Sequence, residues 1–167
     1  MNQINIYGDN YNAKTSKIRE ACRAFIVKDG KILISYENKN QQLMLPGGGL
    51  EHDESLEECL IREVEEETGY IVKVKNKIVT INEYYEDYLW INHYFACEII
   101  ADGKIKLSKM ELEQKMEAKW FNLDECFNIF KEYNKYSKID EMRCVMYKRE
   151  HLALKEYIKF IKYKVFY

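Results

Sequence analysis

Between Ser55 and Gly69 the chain specifies a helix at both of its ends. Ser55 followed by Glu58 is a capping box, in which each side chain satisfies a backbone N–H that the first helical turn leaves free. Gly69 is placed to close the far end in a left-handed turn. At about 100° per residue, Leu56, Leu60, Ile61 and Val64 form one apolar stripe that needs an apolar cover. Glu63, Glu66 and Glu67 stand on the adjoining arc at i, i+3 and i+4. A helix built this way is anchored along one flank and presents carboxylates along the next.

Carboxylates so gathered repel one another by roughly 3 kcal/mol per pair, taking about 5 Å separation and an effective dielectric near ~20. The positions four residues beyond them are Glu67, Tyr70 and Ile71, so no lysine or arginine at that spacing relieves the repulsion. Arg62 is the nearby base, and one guanidinium cannot neutralise the acidic run from Glu63 to Glu67. Hard divalent cations can, and Mg²⁺ is typically held by a few carboxylates, waters and substrate phosphates. The bland alternative is a solvated acidic face. Ahead of the helix, Pro46 precedes Gly47-Gly48-Gly49, and consecutive glycines bring backbone N–H and C=O groups close to a phosphate or a metal.

With Gly48 and Glu54 included, residues 48–70 read Gx5Ex7REUxEExGU, where U is aliphatic and Tyr70 at the last position is the departure. This segment resembles the Nudix box, and the chain is thereby similar to the Nudix hydrolase superfamily. The resemblance implies Mg²⁺-dependent hydrolysis of the diphosphate linkage of a nucleoside diphosphate joined to another moiety X, with Mn²⁺ able to replace Mg²⁺. It implies that the Gly47 carbonyl joins Glu63, Glu66 and Glu67 as a metal ligand. Arg62 then orients Glu63, and Glu54 supports the loop and the helix start. A carboxylate acts as base, either a helix glutamate such as Glu66 or one from the stretch before Trp120, where Glu111 and Glu113 are the candidates. Gly48 in the loop and Arg23 on a preceding strand are candidates for substrate phosphate, although a strand arginine more often pairs with a surface carboxylate. A non-catalytic Nudix-like nucleotide sensor is the alternative, disfavoured because every box glutamate is retained. An isoprenoid diphosphate isomerase shares the fold and ranks lower.

The rest of the chain reads as scaffold. Ala21 to Lys28 and Lys31 to Tyr36 are apolar, β-rich runs separated by Asp29-Gly30, a strong hairpin signal. Strand patterns follow the box at 71–83 and 88–100, and a short strand is expected at 117–122. Leu123 to Tyr133 carries aromatics at helical spacing, and a further helix is expected at about 150–162. Strands with helices on either side suggest an α/β/α sandwich with a mixed sheet between helices, which is also the fold that the resemblance implies. A single domain is expected over 1–167, with a core at about 18–133 and a helical C-terminal segment at about 139–163.

Composition sets the outer limits. At 167 residues and 47% hydrophobic content, one well-buried core is expected and two ordinary domains are not. A net charge of -2 disfavours a basic-patch nucleic-acid binder. No apolar run reaches the ~18 residues of a membrane span and the N-terminus lacks a signal-peptide pattern, so a cytoplasmic protein acting on a small nucleotide is expected. A homodimer stays open. The 5 cysteines are scattered without a CxxC pair, which supports neither disulfides nor zinc; Cys59 reads as a small spacer near the carboxylate arc. His52, His93 and His151 have no partner at ligand spacing. Tyr84, Tyr85, Tyr88 and Trp90 offer an aromatic face suited to stacking a base, although hairpin packing is the commoner role of such a cluster.

Overall fold

In the computed structural model, which describes residues 2–165, the Asp29-Gly30 hairpin forms as the sequence indicates. Both turn residues have positive φ, 50° and 73°, the geometry whose twist matches the flanking strands β2 (Lys17–Lys28) and β3 (Lys31–Glu37). The long strands after the box are also present, as β5 (Tyr70–Tyr85) and β6 (Tyr88–Asp102), paired antiparallel. With β1 (Gln3–Tyr7), β4 (Gln42–Met44) and β7 (Met116–Asn122), the strands run in the order β1-β5-β6-β2-β3-β4, and β7 pairs with β3. The sheet is mixed, because β1 is parallel to β5 and β2 is parallel to β6.

β2 and β3 stay paired only beside their turn, at Val27–Ile32 and Lys28–Lys31. Beyond it they splay, and the glycine segment enters the gap. Ala24 donates its N–H to the Pro46 carbonyl at 2.8 Å, Cys22 to that of Gly48 at 2.9 Å, and Leu50 returns a bond to Glu20 at 3.0 Å. The loop is therefore held as an irregular extra strand along β2.

Alternation along the strands builds two core layers. Cys22, Ala24, Ile26 and Leu33 point to one face and pack against Cys59, Leu60 and Val64 of α1 (Leu56–Thr68). Phe25, Ile32 and Ile34 point to the other and pack against Phe130 of α3 (Leu123–Lys131) and Tyr147, Leu154 and Tyr157 of α4 (Glu141–Val165). This is the expected α/β/α sandwich. Leu60 and Val64 are fully buried, so truncating either to alanine costs about 2–5 kcal/mol for a leucine and less for a valine.

Some elements differ from expectation. β1 lies among polar residues and gains its meaning only from its parallel partner β5. The last helix starts at Glu141, well before residue 150, because Arg143 and Tyr147 of its first turns reach β4: Arg143 Nε donates to the Gln42 side-chain oxygen at 3.2 Å, and the Tyr147 hydroxyl accepts the Leu43 N–H at 3.0 Å. The stretch before Trp120 contains a short helix, α2 (Lys109–Glu113), started by a second capping box of Ser108 and Glu111. Among the described residues, no helix is long and apolar enough to cross a membrane.

Candidate functional site

Both ends of α1 are fixed by the residues that predicted them. Glu58 N–H bonds the Ser55 hydroxyl at 3.2 Å, Ser55 N–H bonds the Glu58 carboxylate at 2.8 Å, and Gly69 takes φ 72°. With Leu60 and Val64 seated on the sheet, the carboxylates fall on the flank beside the glycine loop. They are not equally exposed. Glu67 is turned into the sheet and is 7% exposed, whereas Glu66 keeps 29% of its side chain in solvent.

The Glu67 carboxylate accepts the Ser35 hydroxyl at 2.5 Å and the Gly47 N–H at 3.2 Å. Burial nevertheless pushes its pKa up to about 7, with Ser35, Arg23 and the Gly47 N–H pulling the other way. Ser35 was not among the expected site residues. Its signal was a hydroxyl directly after the apolar run Ile32-Leu33-Ile34.

Arg62 ties the loop to the helix. Its Nε and Nη2 grip Glu54 at 3.0 and 2.7 Å, Nη1 reaches Glu63 at 2.7 Å, and Nη2 also donates to the Gly49 carbonyl at 3.3 Å. This grip, aided by the Glu51 N–H, holds the Glu54 carboxyl down at about 2. Burial raises the pKa of Glu63, and Arg62 opposes that rise. Two of the glycines have no room for a side chain. A Cβ on Gly48 would lie 2.2 Å from the Glu63 carboxylate, and one on Gly47, at φ 136°, would lie 2.1 Å from the Cys22 carbonyl oxygen.

Arg23 enters the site more directly than a strand arginine is expected to. Its Nη1 donates to the Gly47 carbonyl, its charge draws on both Glu63 and Glu67, and its Nε is buried without a partner among the described residues. Glu66 meets Lys106, another residue the sequence did not single out, through an ion pair of 3.1 Å. Cys59 is fully buried with its thiol 3.5 Å from the Gly49 carbonyl, which fits its reading as a spacer under the loop. Glu111 is spent locally: its carboxylate accepts the Ser108 N–H at 2.6 Å in the cap of α2. Glu113 is exposed, and among the described residues neither bonds a box side chain.

Each helix carboxylate thus meets a different donor, Arg62, Lys106 or Ser35, and among the described residues no three acidic, histidine or cysteine side chains form a ready-made metal cluster. The donor chemistry still fits a hard divalent cation. It consists of oxygens, and burial raises the pKa of Glu63 and of Glu67, which marks a place short of positive charge.

Compared with known proteins, residues 18–141 match the sequence model of the NUDIX domain. The chain belongs to the Nudix family. It is accordingly an enzyme of the pyrophosphohydrolase class. An ADP-ribose pyrophosphatase of Methanocaldococcus jannaschii is 30% identical over 157 residues, covering 84% of this chain and 89% of that protein. Among solved structures, a NUDIX hydrolase from Nitrosomonas europaea shares the fold with a TM-score of 0.57 at 22% identity, over 80% of this chain and 90% of that one. A UDP-X diphosphatase aligns with a TM-score of 0.54 at 25% identity, over 67% of this chain and 54% of that one.

Proposed function

We propose that this Nudix protein hydrolyses the diphosphate linkage of a nucleoside diphosphate joined to a second moiety, in a divalent-cation-dependent reaction. The observation that carries the reading is the double tie between loop and helix. Gly47 N–H is bound to Glu67 and the Gly49 carbonyl to Arg62, so the loop that would meet phosphate and the carboxylates that would meet metal are one rigid unit.

The Gly47 carbonyl with Glu63, Glu66 and Glu67 would hold the cation, Mg²⁺ or Mn²⁺, which when bound offsets phosphate charge and lowers the pKa of water. Arg62 and Glu54 set the direction of Glu63 and touch no substrate. Arg23, whose Nε beside the loop has no partner among the described residues, and the Gly48 backbone receive non-bridging phosphate oxygens. Glu66, more exposed than Glu63 or Glu67, accepts the proton of the attacking water. The local engagement of Glu111 in a helix cap supports a box carboxylate over it, and over exposed Glu113, as base.

A small nucleotide substrate and a cytoplasmic location complete this reading. The test is phosphate-product release from a panel of nucleoside diphosphate derivatives, with Mg²⁺, with Mn²⁺ and with EDTA. ADP-ribose belongs first in the panel, since the Methanocaldococcus jannaschii relative is named for it. Turnover of at least one compound that EDTA abolishes is expected; turnover that survives EDTA, or none across the panel, overturns the proposal.

A further inference from the structure

The sheet face on the α4 side carries, beyond the packed core, a second constellation that the box roles leave unused. β2, β6 and β5 run in continuous register there: Arg19 is opposite Trp90, which is opposite Glu83, and Lys17 is opposite Tyr88, which is opposite Tyr85. Residues in register point to the same side of a sheet, so these side chains share one face. The rings of Tyr88 and Trp90 stack at 5.6 Å, and the Arg19 guanidinium lies 5.3 Å over the Trp90 ring. Tyr84 points the other way and stacks on Tyr7, so the aromatics of this hairpin are two separate groups.

This platform adjoins the glycine loop. Arg19 Nη2 is 3.2 Å from where a Cβ on Gly49 would sit, and Ala21, the next residue on the same face, bridges to Gly49 through the backbone. Arg23 follows on that face and meets the Gly47 carbonyl. From Arg23 to Arg19 is about 13 Å of strand, with only the methyl of Ala21 between them. A nucleoside monophosphate unit spans a gap of that size.

Beside Trp90 stands a carboxylate with an unused acceptor. Glu83 is 2% exposed; its Oε2 accepts from Asn92 at 3.0 Å and from Arg149 at 3.1 Å, while its Oε1 has no partner among the described residues. Arg149 cannot satisfy it further, because the same guanidinium also bonds Glu150 at 2.8 Å and the Tyr94 hydroxyl at 2.9 Å. One cation faces two buried carboxylates. A buried carboxylate oxygen left unpaired is costly, and a donor from a ligand removes that cost.

We propose that this face is the nucleobase subsite, with the base stacked on Trp90 and its exocyclic amino group donating to Glu83 Oε1. The subsite rests on the diphosphate-hydrolase reading only for placing the phosphate end at Gly47 and Arg23. Arg19 is exposed and free to change rotamer as the base arrives. Adenine, guanine and cytosine bring an amino donor to their edge. At the position of the cytosine amino group uracil has a carbonyl oxygen, which repels the carboxylate, and its edge donor is the ring N3–H one position over. Amino-bearing bases are therefore selected and uridine compounds rejected.

Cytidine and uridine monophosphates isolate this feature, since at one ring position the first has an amino group where the second has a carbonyl. The chain has 2 tryptophans, so Trp120→Phe leaves Trp90 as the fluorescent reporter of stacking. Titrated without metal, CMP is expected to quench Trp90 and to bind at least about tenfold more tightly than UMP. Glu83→Gln, which offers both a donor and an acceptor, is expected to bring that ratio near one; a thermal melt checks that this variant folds, and the CMP to UMP ratio of the Glu83 protein stands without it. Equal binding of CMP and UMP, or no quenching by either, overturns the subsite. Hydrolysis of diphosphates with no nucleotide effect on Trp90 overturns the subsite and leaves the hydrolase reading standing. Quenching with the CMP preference but no hydrolysis supports the subsite and removes the hydrolase reading.

Discussion

Ser35 on β3 and Glu67 on α1 meet at 2.5 Å, and both are sealed from solvent at 1% and 7% exposure. A carboxylate placed there is charged only at a cost. Its folded pKa of about 7 lies above the ordinary value of 4.5, so between these two pH values the folded state binds more protons than the unfolded state. The sign follows: in metal-free protein this residue's contribution favours folding below about pH 4.5 and turns against it as pH rises to 7 and beyond. The loss is on the order of 3 kcal/mol. Glu67→Gln should remove the slope and be more stable than the parent at pH 8 in EDTA, as read by urea midpoints across pH. Parallel profiles for the two proteins would mean that Glu67 is not the strained group.

The Arg62 fork leads to the opposite pH dependence. Glu54 is held at about 2, below its ordinary value, so its contribution to stability is present above pH 4.5 and is lost as pH falls toward 2. Arg62→Ala should cost about 1–3 kcal/mol at pH 7 and little near pH 2, since Glu54 and Glu63 both lose a charged donor. Arg62→Lys should rescue stability only in part, because an ammonium cannot reproduce the two bonds to Glu54 together with those to Glu63 and Gly49. An NMR titration of Glu54 gives the direct readout: its pKa should climb toward the ordinary range in Arg62→Ala.

Much of this was legible in the sequence because the relevant signals are local. Ser55, Glu58 and Gly69 fix α1 within one stretch of chain, and Asp29-Gly30 fixes the hairpin. The alternation of Cys22, Ala24 and Ile26 against Phe25 fixes the two layers. What was missed depends on pairings distant in sequence. β1 is a strand because β5 lies beside it, and Ser35 matters because α1 brings Glu67 over it. Arg23 differs from a surface strand arginine because the splay of β2 and β3 admits Gly47. The capping box of Ser108 and Glu111 was local and readable, yet the family pattern drew attention to Glu111 as a base and away from its role as a cap.

Glu66 and Lys106 make a contrast between neighbours. The ion pair at 3.1 Å is largely solvated, with 81% of the Lys106 side chain exposed, so Lys106→Ala should change stability by no more than about 0.5 kcal/mol. Glu66→Gln keeps shape and fold but removes the proposed proton acceptor and a negative oxygen. Turnover should fall at least ~10²-fold with an unchanged melting temperature. Turnover within a factor of a few of the parent would remove Glu66 from its assigned role, and an equal loss in Lys106→Ala would shift attention to the lysine.

Gly48 tests whether the loop and Glu63 work as a unit. A Cβ there would overlap the Glu63 carboxylate at 2.2 Å, and the side chain that must give way is one Arg62 already grips at 2.7 Å. Gly48→Ala should therefore push Glu63 off its position with little loss of core packing, because the carboxylate lies at the edge of the α1 layer. The expected result is a folded protein whose affinity for Mn²⁺, measured by calorimetry, falls by about tenfold or more, with kcat reduced alongside it. The same change at Gly49 meets Arg19 at 3.2 Å, the end of a long exposed side chain that can turn aside, and Gly49→Ala should leave metal affinity within a factor of about three. Equal effects at the two positions would show that loop stiffness, and not the contact with Glu63, governs the site.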